Sequence, residues 1–325
     1  MRRLGRYLVR RLAQAALVVL CVIILTFVLL HLMPGDIVDV LAGEASATDI
    51  GYLQDLRQKF GLDRPFLEQL GIFVWRMVQF DLGHSFRHNM PVFDLIADRL
   101  PATLLLLLTA IVLAIALGVV LGVTAARRIG TPIDAAISVL SILFYATPVF
   151  WIGLMLIVLF TVTLQWLPSS GMTTIGANNG SMDYLVDVAR HLVMPAVTLA
   201  LFYVALYTRI MRASMLEVLR LDYIRAARAL GLPSRRVAFQ HALPNAILPM
   251  ITLVGVQVGH LLGGAILVET VFGWPGIGRL AFEAVFQRDL NLLLGILFFS
   301  ALLVVAINLL IDLLYAWIDP RIELG

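Results

Sequence analysis

The sequence predicts an all-α integral membrane protein. It has six transmembrane helices, both termini on the inner side, a large outer segment between the first two spans, and a short helix in the last large inner loop. Three observations predict this. Of 325 residues, 61% are hydrophobic and 14% charged, with a mean hydropathy of +0.94, against about 45–50% and about 25% in soluble domains. The apolar residues come in blocks: stretches 12–35, 100–126, 135–182, 191–208, 237–268 and 290–311 contain no Asp, Glu, Lys or Arg. A helix of about 20 apolar residues crosses the hydrocarbon layer, so each block can supply a span. Arginine, finally, is unevenly shared between the connecting segments. Soluble, disordered and β-barrel classes are excluded.

The spans fall near 12–32, 102–126, 136–160, 193–211, 248–269 and 291–314, within one domain covering 1–325. The opening MRRLGRYLVRR has the charge of a signal-peptide start. The apolar run behind it, 12–33, exceeds the about 7–15 residues of a cleavable signal, and the small-x-small triplet Ala45-Ser46-Ala47 lies too far beyond it, so it is read as a retained first span. Cys21 is the single cysteine and sits in that run, which excludes a disulfide framework or metal cluster and points to a core filler. With the N-terminus inside, the inner segments hold Arg2, Arg3, Arg6, Arg10 and Arg11, then Arg127 and Arg128, then seven arginines from Arg209 to Arg236, and Arg321. The short outer loops hold only Arg190, Arg279 and Arg288. That bias fixes both termini inside. Trp166 and Trp274 fall at the outer surface and Tyr315 and Trp317 at the inner one, as interfacial belts require, while Trp151 falls mid-span as packing. Glu269 and Asp312 are read as the only acids in or near the spans, Asp312 pairing with an arginine near the inner surface.

The outer segment, 36–100, carries ten acidic and six basic residues and faces water. Within it LQDLRQKFGLD (53–63) puts Leu53, Leu56 and Phe60 on one helical face and ends at Gly61. In 66–78, Phe66, Leu70, Phe73, Val74 and Met77 form a second apolar stripe, with Trp75 beside it. Two readings stay open for this segment: a cap packed on its own bundle, or a docking surface lying in the outer interface.

The main signal lies in the inner loop, 212–247. DYIRAARALGLP (222–233) reads as one short helix, capped at its start by Asp222 and stopped by Gly231 and Pro233. Tyr223, Ala226, Ala227 and Leu230 recur at i, i+3, i+4 and i+7 and share a face; Arg225 and Arg228 point elsewhere. Such a helix is too short to hold in water alone, where about 12–15 residues are marginal. Its face therefore packs on something, and the two alanines let that surface come close to the backbone. The residues alone leave a partner protein and anionic lipid as equal candidates. ATP chemistry within the chain is excluded, because a P-loop needs a lysine after glycine and the only lysine is Lys59 in RQKF.

The spacing in this loop resembles the coupling segment of bacterial ABC importer permeases: Glu-Ala-Ala, three residues, Gly, nine residues, Ile-x-Leu-Pro. Arg225-Ala226-Ala227 is followed three residues later by Gly231, and nine more lead to His241-Ala242-Leu243-Pro244. Arg225 stands at the glutamate position and His241 at the isoleucine. HLMPGD (31–36), FGLDRP (60–65), DLGHSF (81–86), RLPATLLL (99–106), QWLPSSG (165–171), ETVFGWPGIG (269–278) and LYAWIDPRI (314–322) resemble the dipeptide, oligopeptide and nickel group of that family. The long first outer segment and MPGD resemble its first permease subunit.

The resemblance implies a bacterial inner-membrane, multi-pass subunit forming half of a pathway for peptides or a related small solute. It implies a second homologous permease, two ATPases that bind ATP and Mg, an outer solute-binding protein and the lipid bilayer as partners, and no nucleic acid. The chain itself is then no enzyme and carries no cofactor or metal. Asp222, Tyr223, Arg225, Ala226, Ala227, Leu230, Gly231, Leu243 and Pro244 would form the ATPase-coupling element. Pro148 breaks the third span in FYATPVFW (144–151) and frees backbone groups that pore water or protein must satisfy. Tyr145, Thr147, Pro148, Gln257, His260 and, in a Gly/Pro turn at an outer end, Glu269 are the candidate path or gate residues; for the polar ones an interhelical hydrogen bond is the alternative role. Gly273-x-x-Gly276-x-Gly278 is no phosphate cradle, since no Lys-Ser follows it. An ion-coupled secondary carrier would favour mid-span charges and internal repeats, and a non-transporting scaffold would leave the loop spacing without a reason.

Overall fold

The computed structural model describes residues 2–32, 64–85, 87–174, 176 and 182–318, leaving aside the side chains of 2–8, 30, 252, 255, 256, 258, 260, 261 and 312–318. The fold is almost wholly helical. We number the helices of eight residues or more: α1 Arg2–Leu32, α2 Phe66–Val78, α3 Val92–Arg127, α4 Pro132–Ala146, α5 Val149–Leu156, α6 Met182–Val218, α7 Asp222–Ala229, α8 Leu248–Val271, α9 Ile277–Gln287 and α10 Leu290–Ile318. Four of these, α1, α3, α6 and α10, contain spans long and apolar enough to cross a membrane. The pair α4 and Val149–Thr163 adds a fifth if it is one span, and it bends by 105° at the break. The predicted third span is therefore no straight rod. α8 has 24 residues and matches the predicted 248–269 within two residues. Elsewhere the helices overrun the predicted spans: α3 starts at Val92 and runs through Pro101, and α6 starts at Met182 and runs through Pro195.

The chain divides into two compact units, one of 1–98 with 283–325 and one of 99–282. In the first, α1 packs along α10. α2 lies against α1, with the Phe27 ring 5.2 Å from Phe66 and 5.4 Å from Phe73. His31 Nε2 lies 3.1 Å from Gln69 Oε1. The 66–78 stripe is thus used for packing on its own chain, while the 53–63 helix lies outside the described residues. A two-stranded ribbon, His84–Ser85 with Met90–Pro91, precedes α3. The Ser85 hydroxyl donates to Asp289, whose other oxygen accepts the Leu292 N–H and so caps α10.

The second unit is built around α6, which contacts α4, α5 and α8. Its span is 72% buried although its hydropathy, 1.6, is lower than that of α3 at 3.1, so it is the central helix. Tyr203, Tyr207, Met211 and Met215 lie at its core. α3 approaches it at Gly118-x-x-x-Gly122, where an added Cβ would meet Tyr207 Cβ at 2.6 Å and Met211 Cβ at 2.5 Å. Small residues four apart allow this close crossing. Two sequence expectations fail here and one in the first unit. Trp274 is fully buried rather than interfacial, its indole N–H donating to Ala102 O at 2.8 Å. Trp151 is half exposed rather than packed, since α5 leaves α4 at a steep angle and turns the ring outward. Cys21 is exposed, not a core filler, because α1 turns its Ile23 and Phe27 side inward instead.

Candidate functional site

Three places in the second unit gather the residues singled out above. The first is the break after α4. Pro148 has no N–H and disfavours helix at the residue before it, so α4 ends at Ala146 and α5 restarts from the Pro148 carbonyl, which accepts the N–H groups of Trp151 and Ile152. The Thr147 hydroxyl donates to Leu143 O at 2.7 Å. Against this break lies a cavity of about 600 Å³ whose lining includes Tyr145, Thr147, Pro148, Phe202, Tyr203 and Gln257. Tyr145 stacks on Phe202 with centroids 5.3 Å apart, and the Arg209 guanidinium carbon lies 5.5 Å from the Tyr145 centroid. None of the lining residues is charged. Such a wall offers aromatic faces and one primary amide to a passing molecule. Four of the six path residues meet here; His260 follows Gln257 by one turn of α8, but its side chain lies outside the described residues.

The sixth, Glu269, stands elsewhere and does a different job. It is fully buried. One carboxylate oxygen accepts the Thr103 hydroxyl at 2.7 Å and the other accepts the Arg279 N–H at 3.0 Å, with the Gly278 amide beside it. Thr103 Oγ1 in turn accepts the Ile277 N–H at 2.8 Å. Together they satisfy the orphan donors at the start of α9. An added Cβ at Gly276 would sit 2.2 Å from the Glu269 carboxyl carbon, and one at Gly278 would sit 2.7 Å from Ile266 Cα. The glycines thus make room for the acid. Gly171 N donates to Phe272 O at 2.9 Å, so RLPATLLL, QWLPSSG and ETVFGWPGIG, far apart in the chain, form one closed hydrogen-bonded knot. Glu269 is held within this knot, fully buried, and is not part of the cavity lining at Pro148.

The third place is α7. The sequence reading of its ends is half right. Leu221, not Asp222, is the N-cap, and no side chain caps this end; Asp222 is the first helical residue, its carboxylate 3.4 Å from Arg225. Gly231 closes the other end with φ +79°. Its N–H donates to Arg228 O at 3.0 Å and Leu232 N–H donates to Ala227 O at 3.3 Å, a complete Schellman cap. The predicted face splits in two. Ile224 and Ala227 are buried against the chain's own residues, whereas Tyr223, Ala226 and Leu230 point outward, Leu230 being 81% exposed. The Ile224 contact answers how so short a helix holds its shape. Tyr223 is steadied by Asn245, whose amide donates to its hydroxyl at 2.9 Å. Leu243 and Pro244 open the short helix Leu243–Ala246 just beyond a π-helical turn, which keeps that segment beside α7.

Sequence reasoning missed two buried acids, Asp289 at the start of α10 and one in this unit. Asp134, at the start of α4, is buried and takes both prongs of Arg212, at 2.7 and 2.8 Å, plus the Gly130 N–H at 3.1 Å. Asp134 follows Pro132 in a helix start, and Arg212 lies 78 residues on; no local pattern joins them. The Asp312 side chain lies outside the described residues.

Comparison with known proteins covers nearly the whole chain. Residues 118–324 match the family described as binding-protein-dependent transport system inner membrane component, and residues 4–107 match the N-terminal family of such membrane components. The dipeptide transport system permease DppB of Escherichia coli (strain K12) is 38% identical over 335 residues, covering 98% of each chain. The oligopeptide transport system permease AppB of Bacillus subtilis (strain 168) is 39% identical over 322 residues, covering 98% of this chain and 100% of its own. Among solved structures, the MetNI methionine ABC transporter in an inward-facing conformation aligns with a TM-score of 0.50 and 18% identity, over 70% of this chain and 94% of that one, a likeness of fold.

Proposed function

This chain belongs to the family of inner membrane components of binding-protein-dependent transport systems, and from that membership we propose that it forms half of the pathway of an ATP-driven peptide importer. Membership makes it the permease component, with ATPase and solute-binding partners and a multi-pass place in the inner membrane. The proposal adds six spans with both termini inside, one second permease, two ATPases carrying ATP and Mg, and no cofactor in this chain. The relatives' peptides supply the substrate class.

The observation that carries the coupling role is α7 itself. It is anchored from beneath by Ile224 and closed by Gly231, and it presents Tyr223, Ala226 and Leu230 outward on a basic surface. A rigid, small-residue ridge of this kind fits a groove on an ATPase. ATP-driven closure of the ATPases then moves α7 as a lever, which performs work only if ATP binding favours one of two bundle arrangements. The cavity at Tyr145, Thr147, Pro148 and Gln257 is the pathway wall. Its uncharged aromatic lining suits varied side chains and leaves selection to the solute-binding protein. Glu269 and its glycines act as a fixed brace for the pathway rather than as a gate.

The test is uptake of a labelled dipeptide into proteoliposomes holding the chain with its partner permease and ATPases, with binding protein outside and ATP trapped inside. The expected result is uptake that stops without ATP or without the ATPases. Uptake by this chain alone under an ion gradient would replace the importer with a secondary carrier.

A further inference from the structure

A second cavity opens in the 99–282 unit where α3 ends, beside α7. Its volume is about 690 Å³, and Arg127, Arg128, Arg220 and Arg228 all line it, over apolar contacts from residues such as Leu219 and Val237. No Asp or Glu lines it. Among the described residues none of the four arginines has an ion-pair partner. The neighbouring acids are accounted for: Asp134 is held by Arg212, Asp222 lies beside Arg225, and Glu217, near the end of α6, is exposed outside the lining. The Arg127 guanidinium carbon stands 5.6 Å from the Phe239 ring centroid, which steadies it at the edge of the cavity.

Four guanidinium groups around one hollow repel each other unless an anion sits among them, and their planar forks match phosphate oxygens. We propose that this cavity binds a phosphate-bearing anion, with the headgroup of an anionic inner-leaflet phospholipid as its source. The apolar contacts between the arginines suit the glycerol and first acyl carbons of such a lipid, and basic pockets between helices on the cytoplasmic side take headgroups of this kind. Arg228 belongs to α7, so an occupied cavity would tie the lever to the end of α3 and stiffen it. The lipid source rests on the inner-side placement proposed above; the phosphate chemistry does not.

The experiment uses the assembled transporter, stripped of lipid in neutral detergent, and follows its thermal-unfolding midpoint. Dioctanoyl phosphatidylglycerol, dioctanoyl phosphatidylcholine and inorganic phosphate are titrated separately. The expected result is a saturable rise with phosphatidylglycerol and none with phosphatidylcholine. Arg128→Gln should raise the half-saturating concentration roughly fivefold, about 1 kcal/mol at 1.4 kcal/mol per tenfold. Arg128→Gln with Arg220→Gln should raise it by at least about tenfold, and the corresponding Lys pair should recover part of the loss. A matching arginine-dependent rise with inorganic phosphate alone would support the anion site with free phosphate as its source. An equal phosphatidylglycerol response in wild type and double variant would overturn the proposal. So would loss of the ATPases from the double variant with an unchanged lipid response, because the arginines would then serve an acidic partner surface. Should the double variant fail to assemble, Arg128→Gln alone carries the test.

Discussion

Replacing Thr103 by Val changes almost nothing in shape and removes one hydroxyl from the knot around Glu269. That hydroxyl donates to the buried carboxylate at 2.7 Å and accepts the Ile277 N–H at 2.8 Å, and Thr103, Glu269 and Ile277 are all buried. A hydrogen bond to a charged group is worth about 1.5–3 kcal/mol, and a buried N–H left without a partner costs about 1–3 kcal/mol. The loss is then about 2.5–6 kcal/mol. For a unit of this size, roughly 2–4 °C per kcal/mol gives a fall in apparent melting midpoint of at least about 5 °C. Thr109→Val is the control. It lies on the same helix, but its hydroxyl only donates back to Leu105 O at 2.7 Å, a bond of little net value. The assay is thermal unfolding read by size-exclusion of the tagged chain. Equal midpoints for the two variants would refute the brace and return Glu269 to the list of open-facing pathway residues.

Gly231→Val introduces a Cβ that meets nothing within 4 Å, so its cost is the left-handed backbone alone, about 1–2 kcal/mol. The chain should insert at wild-type levels while ATPase binding weakens roughly tenfold and transport falls; wild-type transport would count against the lever. Ala226→Trp alters the outward ridge only, so ATPase recovery should drop with no change in melting midpoint, and unchanged recovery would favour α7 lying on lipid. Ala227→Trp is a poorer probe, because Ala227 packs inward. Tyr145→Ala opens the cavity wall and should change uptake while ATPase recovery stays constant; unaltered uptake of every peptide tested would remove Tyr145 from the pathway. Arg212→Lys keeps the charge but loses the two-pronged grip on Asp134, and it should lower the melting midpoint; an unchanged midpoint would show that the fork is dispensable.

The periodic and the local were readable from the sequence; the convergent was not. Charge-free blocks located the long apolar helices, Pro148 announced the break after α4, and Gly231 marked the end of α7, because each is a property of a few neighbouring residues. The inward turn of Ala227 was not legible, since an eight-residue helix with apolar residues on several sides does not say which side its own chain will cover; Ile224 decided it. Asp134 and Arg212, 78 residues apart, and Thr103 with Glu269, 166 apart, are joined only by the packing around α6 and at the start of α9. Gly118-x-x-x-Gly122 carried a legible sign of close helix approach that the sequence reading passed over. Trp274 was misplaced because an indole looks interfacial by composition until Ala102 O is seen to accept its N–H.

The central claim is that this chain works only as part of an ATP-driven assembly that it engages through α7. The most direct measurement is purification of the tagged chain from its own membrane in mild detergent, with mass-spectrometric identification of whatever accompanies it. The account predicts a second homologous permease together with P-loop ATPases, the ATPases being depleted from the Gly231→Val preparation. Recovery of the chain alone, or only with copies of itself, would contradict it.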